Sequence, residues 1–320
     1  MTQTVDNPKT HAPAWPDEGP FCLDSDQAYR EWRDAKLVAY PAKLEDAMVE
    51  IADPFHLTDR EYAKVAQLCQ RANMAFYTFG TGSRDEHQTR MALFAFGSAL
   101  GLVVTEDHRS AEADGVVRIE VVKRGGRLGY IPYTDRPINW HTDGYYNFHG
   151  PQRSVQAMLL HCYRNAVEGG INRWLDHHLA YIRLRDADGG FIAALMHPAA
   201  MTLPASVEEN GRIREENTGP VFYVDPRHGT LGMRFSARKR NIVWRDDAVT
   251  REAVARLEQL LETDPLVIRA QLGPGQGVVC NNVLHDRSGF AVSDAPEQAR
   301  LLFRIRYGGL VAAPVSPSFT

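Results

Sequence analysis

A His-x-Asp triplet lies near the middle of this 320-residue chain. His141 and Asp143 follow Ile138-Asn139-Trp140, a segment typical of extended chain, and precede the turn residue Gly144. On an extended chain, the side chains of residues i and i+2 point to the same side, so the imidazole and the carboxylate can bind the same ion. Because the chain has 12 histidines and 40 acidic residues, such a triplet also occurs by chance, and only a third partner makes it informative.

His285 is the candidate for that partner. It follows the predicted strand 277–280, within the segment 281–290. Two histidines and one carboxylate on one face of a metal ion form the facial triad of non-haem Fe(II) oxygenases. Three coordination positions then stay open, two for a 2-oxo acid and one for O2. The residues therefore predict an iron site made of His141, Asp143 and His285.

The predicted strand 300–307 places hydrophobic side chains on one face and cations on the other. The first face has Leu301, Phe303, Ile305 and Tyr307, and the second has Arg300, Leu302, Arg304 and Arg306. One interpretation is a half-buried strand with a solvated basic face. The other is that the arginines point into a barrel mouth and bind a dicarboxylate through charge-assisted hydrogen bonds. Neighbouring cations repel unless anions lie among them, which favours the second interpretation somewhat.

The predicted secondary structure that positions these residues changes along the chain, from helices to short strands. Capping-box patterns at Thr58–Glu61 and Ser83–Glu86 predict two amphipathic helices, and the second pattern leads into the apolar residues Met91, Leu93, Phe94 and Leu100. Asp176 is a predicted helix N-cap, and a further helix is expected over about 250–263. After residue 115, short strands dominate the pattern. They are predicted at 116–122, 155–163, 221–224, 266–272, 277–280 and 300–307.

Composition excludes several classes of protein. Hydrophobic residues make up 44% and charged residues 24%, as in a globular domain, and the net charge is −4. No apolar run is long enough to span a bilayer, and no signal-peptide pattern begins the chain. One basic segment, 234–240, is interpreted as a solvated loop rather than as a phosphate or nucleic-acid patch. We therefore expect no nucleic-acid or membrane partner.

The cysteines are widely separated along the sequence. They are Cys22, Cys69, Cys162 and Cys280, and no two form a CxxC pair. We interpret them as buried thiols in a reducing cytosol. The expected localisation is cytoplasmic.

Four segments, in order, resemble the TauD/TfdA-like family of Fe(II)/2-oxoglutarate-dependent oxygenases, which includes taurine dioxygenase, gamma-butyrobetaine hydroxylase and clavaminate synthase-like enzymes. They are WHTDG at 140–144, EGGIN at 168–172 leading to Asp176, NNVLHDRSGF at 281–290 and ARLLFRIRY at 299–307. The resemblance implies a mostly β fold with helical insertions, built as a double-stranded β-helix (jelly roll) core over about 115–310. The helix patterns add a helical lobe over about 45–105, and the Pro-rich, polar residues 1–20 are expected to form a loose arm before a single domain 21–320.

The resemblance also assigns roles to side chains. His141, Asp143 and His285 match the family's iron ligands, and Arg300 matches the arginine that binds the far carboxylate of 2-oxoglutarate. Arg304 matches a position that faces the primary substrate in several members. A family loop at a similar place to 234–240 can border the active site, which gives this basic segment an alternative role in recognising an anionic substrate. Asn172 stands where many members have a Thr or Ser that helps to hold 2-oxoglutarate, which makes it a further cosubstrate residue.

The predicted activity is hydroxylation, or oxidative cleavage, of a small, polar, anionic molecule with Fe(II), 2-oxoglutarate and O2, releasing succinate and CO2. Two alternatives come from other classes. A non-catalytic jelly-roll metal-binding protein would usually close its metal site with four ligands. A metal-dependent hydrolase would use a metal-bound water, and this mechanism gives no function to the arginines of the last strand. A homo-oligomer is a further expectation.

Overall fold

The computed structural model describes residues 16–38, 40–80, 82, 84–102, 115–122, 130–207, 213–293 and 295–312. The described part of the chain mixes α-helices with several β-sheets. Its six α-helices are α1 (Asp26–Val38), α2 (Asp59–Ala72), α3 (Glu86–Ala99), α4 (His177–Ala187), α5 (Gly189–Met196) and α6 (Ala248–Thr263).

Seventeen strands lie in the same described ranges. The first eight are β1 (Met48–Ile51), β2 (Met74–Phe79), β3 (Val117–Ile119), β4 (Ile138–His141), β5 (Ala157–Arg164), β6 (Asn172–Leu175), β7 (Met201–Leu203) and β8 (Ser206–Val207). The others are β9 (Ile213–Arg214), β10 (Asn217–Gly219), β11 (Phe222–Asp225), β12 (Thr230–Met233), β13 (Val243–Trp244), β14 (Ile268–Ala270), β15 (Gln276–Cys280), β16 (Leu284–Arg287) and β17 (Leu301–Tyr307).

Two sheets form the centre of the molecule. A six-stranded sheet has the order β1-β2-β15-β5-β17-β3, and a four-stranded sheet has the order β14-β6-β16-β4. The inner face of the large sheet packs on the small sheet, since Phe76 of β2 meets Trp174 of β6 edge to face with ring centroids 5.0 Å apart. Trp174 and Ile268 of the small sheet share one buried cluster with Met158 and Leu160 of β5. The candidate iron ligands come from this sandwich.

The outer face of the large sheet is covered by α2 and α3. In β17, the residues Leu301, Phe303, Ile305 and Tyr307 pack in this second cluster, as their alternation predicts. From α2, Val65, Leu68 and Cys69 are buried against the sheet, and Leu93 and Phe96 contribute from α3. Thr58 caps α2 in a capping box with Glu61, which confirms the prediction for this helix.

The predicted start of the second helix is wrong. Its N-cap is Asp85, in a capping box with Gln88, whereas Ser83 lies outside the described residues. Among the apolar residues of this helix, Met91 and Phe94 are 50% and 47% exposed. The cap fixes where the helix begins, but packing against the sheet decides which face of the helix is covered, and Ala92 and Phe96 lie on that face.

The segment predicted as a helical lobe also supplies strands. β1 and β2 pair in parallel, and β2 pairs antiparallel with β15 of the large sheet. Residues 45–105 therefore contain the two predicted helices and, in addition, part of the central sheet. The strand predicted at 116–122 is shorter than expected, because β3 covers three residues.

Helices α4, α5 and α6 pack together in a third cluster with β11 and β12. Asp176 caps α4 by accepting from the backbone N–H of His178, as predicted. All four cysteines are buried and unpaired, which confirms their interpretation as free thiols. No helix of the described ranges is long and apolar enough to cross a bilayer.

Candidate metal centre and active site

His141 and His285 lie directly opposite each other on neighbouring strands. His141 ends β4 and His285 is the second residue of β16, and the antiparallel register pairs the two residues. Side chains of directly opposite residues lie on the same face of a sheet and close together. Here the two imidazole centroids are 4.2 Å apart.

Asp143 completes the cluster two residues beyond His141. Ligand atoms of His141, Asp143 and His285 all lie within 4.8 Å of one another, and the described residues contain no other group of this kind. His141 Nε2 and Asp143 Oδ1 are 3.8 Å apart. The structure therefore brings together the three side chains that the sequence selected. Three ligands, rather than four, match an open, catalytic type of site.

Backbone carbonyl groups orient both imidazoles. The Nδ1 of His141 lies 2.9 Å from the Asn139 carbonyl, and the Nδ1 of His285 lies 3.0 Å from the Val283 carbonyl. A carbonyl can only accept, so Nδ1 carries the proton in each ring and Nε2 keeps its lone pair. Such contacts fix the tautomer and the ring direction of metal-ligating histidines.

The electrostatics of the cluster suit a divalent metal. Burial, followed by the nearby His285, lowers the pKa of His141 to about 3, and burial also lowers the pKa of His285. Both imidazoles are thus neutral near pH 7, the form that binds a metal. Burial alone would raise the pKa of Asp143, but the charges of Arg304 and Arg306 outweigh it and hold this pKa well below its usual value.

Asn282 holds the backbone of Asp143 in place. Its Oδ1 accepts from the Asp143 N–H at 2.7 Å, and its Nδ2 donates to the carbonyl groups of Asp143 and Val155 at 3.0 and 2.7 Å. Asn282 adopts φ 47°, a left-handed conformation that Asn tolerates better than most residues. Asn282 belongs to the segment 281–290, whose sequence predicts no role for it. The only local signal was an Asn in the turn before the strand of His285.

We expect Asn282→Gly to weaken metal binding roughly 10- to 100-fold, because the variant loses the side chain that aligns a ligand. Glycine retains access to the left-handed backbone, so the loss is not a backbone effect. The measurement is Fe(II) or Mn(II) affinity by anaerobic calorimetry. Asn241→Gly is the matched control, since Asn241 is exposed and also left-handed. Equal metal affinities of Asn282→Gly and the wild-type protein would contradict the assignment.

The arginines of β17 enter the site from the opposite sheet. Arg306 binds the Asp143 carboxylate with two hydrogen bonds, from Nε at 2.9 Å and from Nη2 at 2.8 Å. Arg304 Nη1 lies 3.4 Å from Asp143 Oδ1. Arg300, Arg304 and Arg306 are all buried, so the interpretation of a solvated basic face is wrong. The sequence placed Arg306 on the arginine face of this strand, but the family resemblance gave it no individual role.

Arg300 borders a small cavity lined by Gly170 and Asn172. Its guanidinium stacks on Phe290, at 4.9 Å from the ring centroid, and has no hydrogen-bond or ion-pair partner among the described residues. Burial lowers the pKa of Arg300 to about 10, so it stays protonated near pH 7. Asn172 Nδ2 donates to the Asp286 carbonyl at 2.8 Å. A buried cation without a counter-charge is suited to an anionic ligand.

Gly169 shapes the same corner of the site. It adopts φ 76°, and a Cβ atom there would lie 2.3 Å from the Gly289 carbonyl oxygen. The neighbouring Gly170 N–H donates to that carbonyl at 3.0 Å. The Gly-Gly pair thus lets the chain before β6 approach the segment that follows β16.

The basic segment 234–240 divides into two parts. Arg234 is 2% exposed, and its guanidinium donates to five oxygen acceptors, which include the Tyr145 and Met201 carbonyl groups. Ser236 forms a β-bridge with His141. Residues 238–240 are exposed. The segment therefore borders the metal centre, and the interpretation of a wholly solvated loop is wrong for its first half.

Comparison with known protein families agrees with this geometry. Residues 40–306 match the family described as "Taurine catabolism dioxygenase TauD, TfdA family". The chain belongs to this family. Membership assigns it to the Fe(II)- and 2-oxoglutarate-dependent dioxygenases, as the four sequence segments predicted.

One curated relative is the uridine-5'-phosphate dioxygenase of Amycolatopsis sp, 30% identical over 174 residues. The match covers 52% of this chain and 60% of that protein, so the chain spans less than two thirds of the relative's length.

Solved structures of oxygenases share the fold. Asparagine oxygenase in complex with Fe(II), 2S,3S-3-hydroxyasparagine and succinate has a TM-score of 0.55 and 14% identity, over 79% of this chain and 78% of that one. OrfP in complex with Fe, succinate and (3S)-hydroxy-L-Arg has a TM-score of 0.56 and 17% identity, over 78% and 80%. A taurine dioxygenase from Burkholderia xenovorans has a TM-score of 0.52 and 19% identity, over 81% and 87%.

The residues present fit the family's cofactors. Two neutral imidazoles and one carboxylate are a donor set for Fe(II). The buried guanidinium of Arg300, which has no hydrogen-bond or ion-pair partner in the described part of the chain, suits one carboxylate of 2-oxoglutarate. Iron and 2-oxoglutarate are therefore the cofactors that family and site together assign to the chain.

Proposed function

We propose that this protein hydroxylates a small, anionic substrate with O2 and releases succinate and CO2. The observation that carries the proposal is the cluster of His141, Asp143 and His285, with Arg304 and Arg306 of β17 directed into it. In this proposal, the two histidines and Asp143 bind iron. Arg300, with Asn172 beside it, binds the far carboxylate of 2-oxoglutarate, and Arg304 binds the primary substrate.

Each side chain performs a binding or orienting task. When bound, iron with 2-oxoglutarate supplies the oxidising chemistry. His141 and His285 present fixed Nε2 atoms, because carbonyl groups hold their Nδ1 protons. Arg300 fixes the far end of the cosubstrate, and Arg304 anchors the substrate anion. Anchoring limits which C–H bond can face the metal, and it keeps cosubstrate consumption coupled to product formation.

The substrate class that we propose is a nucleoside 5'-phosphate. The relative from Amycolatopsis sp is named a uridine-5'-phosphate dioxygenase. In this chain, Arg304 lies within 3.4 Å of the metal-ligating carboxylate, so a substrate anion bound to it would lie next to the metal. If hydroxylation occurs at the carbon that bears the phosphate, the product can break down to an aldehyde and inorganic phosphate. Oxidative cleavage is then the outcome.

The test uses two readouts. Titrating 2-oxoglutarate into the anaerobic Fe(II) protein should produce the weak visible charge-transfer band of a chelated 2-oxo acid. Adding O2 and uridine 5'-phosphate should then raise succinate formation above the uncoupled background, whereas uridine should not. Absence of the band would contradict both the dioxygenase proposal and the assignment of 2-oxoglutarate as a cofactor. A band with no nucleotide-stimulated succinate would reject only the substrate class.

We expect Arg300→Lys to weaken 2-oxoglutarate binding roughly 10- to 100-fold, with or without substrate. A lysine keeps the charge but loses the bidentate fork, and a hydrogen bond to a charged group contributes about 1.5–3 kcal/mol. The measurement is the 2-oxoglutarate dependence of the charge-transfer band. Arg269→Lys on the exposed side of β14 is the control. An unchanged titration curve would assign the far carboxylate to a different cation.

We also propose that the two packed sheets form a double-stranded β-helix core, within a single domain that covers 21–320.

A homo-oligomer and a cytoplasmic location stay predictions. Size-exclusion chromatography with light scattering tests the oligomeric state.

A further inference from the structure

Two buried guanidinium groups lie over the same aromatic ring beside the cavity of Arg300. The guanidinium carbon of Arg300 is 4.9 Å from the ring centroid of Phe290, and that of Arg287 is 4.8 Å from it. Arg287 ends β16 of the small sheet and Arg300 immediately precedes β17 of the large sheet, so the contacts with this ring link the two sheets. A cation over the face of a ring is attracted to it, and more strongly where water is excluded.

The ring of Phe290 is the contact that sets the direction of the Arg300 guanidinium. Among the residues that the structure describes, Arg300 has no hydrogen-bond or ion-pair partner. A Cβ atom on Gly170 would lie 3.4 Å from Arg300 Nε, so the glycine backbone limits the space on one side only. A long arginine side chain has many rotamers, and without the ring its guanidinium would occupy several directions.

The backbone of Phe290 is fixed by two neighbouring segments. Its N–H donates to the Asp135 carbonyl at 3.1 Å, and it forms a β-bridge with Gly169. A Cβ atom on Gly169 would lie 2.9 Å from Phe290 Cα, so this close pairing requires glycine. The ring therefore projects from a backbone that is held in place.

Arg287 supports the same ring. Its Nη2 donates to the Thr134 and Arg136 carbonyl groups, which anchor this guanidinium to the segment before β4. Arg287 is 3% exposed, so its contact with Phe290 is shielded from water. The ring thus rests on a cation that is itself held by hydrogen bonds.

We propose that Phe290, supported by Arg287, is a positioning residue that orients the Arg300 guanidinium for the far carboxylate of 2-oxoglutarate. The proposal rests on the role given to Arg300 in the proposed function. A guanidinium that already points in the binding direction loses less conformational entropy when the cosubstrate binds. An aromatic ring provides this orientation without accepting an N–H, so the donors of Arg300 stay available for the carboxylate.

The competing interpretation is that Phe290, which is half-buried, only fills space. The two interpretations differ in their consequences for ligands. A positioning role affects only 2-oxo acids that have a far carboxylate, whereas loss of packing at this corner affects all of them alike.

The experiment titrates two 2-oxo acids into the anaerobic Fe(II) protein and follows the charge-transfer band. 2-Oxoglutarate has the far carboxylate, and 2-oxopentanoate has a carbon chain of the same length without it. We expect Phe290→Leu to weaken 2-oxoglutarate binding roughly 5- to 30-fold, the range of a desolvated cation–π contact, and to leave the affinity for 2-oxopentanoate unchanged. Phe290→Tyr keeps an aromatic face and should retain most of the 2-oxoglutarate affinity. Phe94→Leu, at a 47% exposed position of α3, is the control.

A double-mutant cycle tests whether Phe290 acts through Arg300. In an Arg300→Gln background there is no guanidinium to orient, so adding Phe290→Leu should weaken 2-oxoglutarate binding by no more than about twofold. Circular dichroism and Mn(II) affinity check that each variant is folded and keeps its metal site. Phe290→Met takes the place of Phe290→Leu in every comparison if the latter does not fold.

Three outcomes would overturn the proposal. They are an unchanged 2-oxoglutarate affinity in Phe290→Leu, an equal loss of affinity for both 2-oxo acids, and the full loss persisting in the Arg300→Gln background. Any of these, with a normal band in the wild-type protein, leaves the dioxygenase function intact. Absence of the band in the wild-type protein would instead contradict the proposed function, and the role of Phe290 with it.

Discussion

His141→Ala, Asp143→Ala and His285→Ala should each abolish succinate and product formation while the protein stays folded. Each variant removes one of three ligands from a site that, in the described chain, has no fourth ligand to replace it. The measurements are iron content after anaerobic reconstitution, the charge-transfer band with 2-oxoglutarate, and succinate release. His56→Ala is the control, since that side chain is 85% exposed.

Asp143 needs a companion variant. Replacing it by Ala leaves Arg304 and Arg306 without their carboxylate in a buried site, which lowers stability as well as metal affinity. Asp143→Asn keeps the size of the side chain and removes the charge, so thermal unfolding of the two variants separates the effects. Near-normal turnover in a folded variant at any of the three positions would remove that residue from the triad.

Lys36→Met should lower the free energy of unfolding by about 3–5 kcal/mol, because it leaves a buried carboxylate without its cation. Lys36 Nζ lies 2.7 Å from Asp176 Oδ2, and the Asp176 side chain is fully buried. Asn73 Nδ2 and the His178 N–H also donate to Asp176, which places the expected loss at the lower end. Urea unfolding measures this loss in the free energy of unfolding, and Lys43→Met, at an exposed position, is the control.

The effect of Lys36→Met should depend on pH. Burial would raise the pKa of Asp176, but Lys36 and its other partners hold this pKa below its usual value. A carboxyl whose folded-state pKa is lowered stabilises the fold above its unfolded-state pKa, about 3.9, and loses that contribution as the pH falls. The difference between wild type and variant should therefore narrow on acidification towards pH 3. A constant difference between pH 7 and pH 3.5 would show that Lys36 acts by packing alone.

The sequence by itself determined the local features of this protein. Alternation along 300–307 separated the apolar face of β17 from its arginine face, because successive side chains of a strand point to opposite sides. Asp176 was identifiable as an N-cap, since its carboxylate accepts an otherwise unpaired backbone N–H. The spacing in His141-Thr142-Asp143 predicted two ligands on one side of the chain, and the ordered segments identified the family.

Some elements escaped sequence reasoning for physical reasons. In β2, five of six residues are buried, so no alternation of apolar and polar residues marks it as a strand. β1 has four residues and exists as a partner of β2. For α3, periodicity allowed more than one buried face, and contact with the large sheet selected the face with Ala92 and Phe96.

Only the tertiary structure decided how the site is assembled. The pairing of β4 with β16 sets His141 opposite His285, and strand register is a non-local property that no short motif encodes. The contact between Asp143 and Arg306 crosses from one sheet to the other, so it requires the sandwich to form. The same holds for Asn282, whose side chain reaches across a turn to the Asp143 backbone. Residue types fix which groups can bind a metal or an anion, but the packing of the two sheets decides which of them meet.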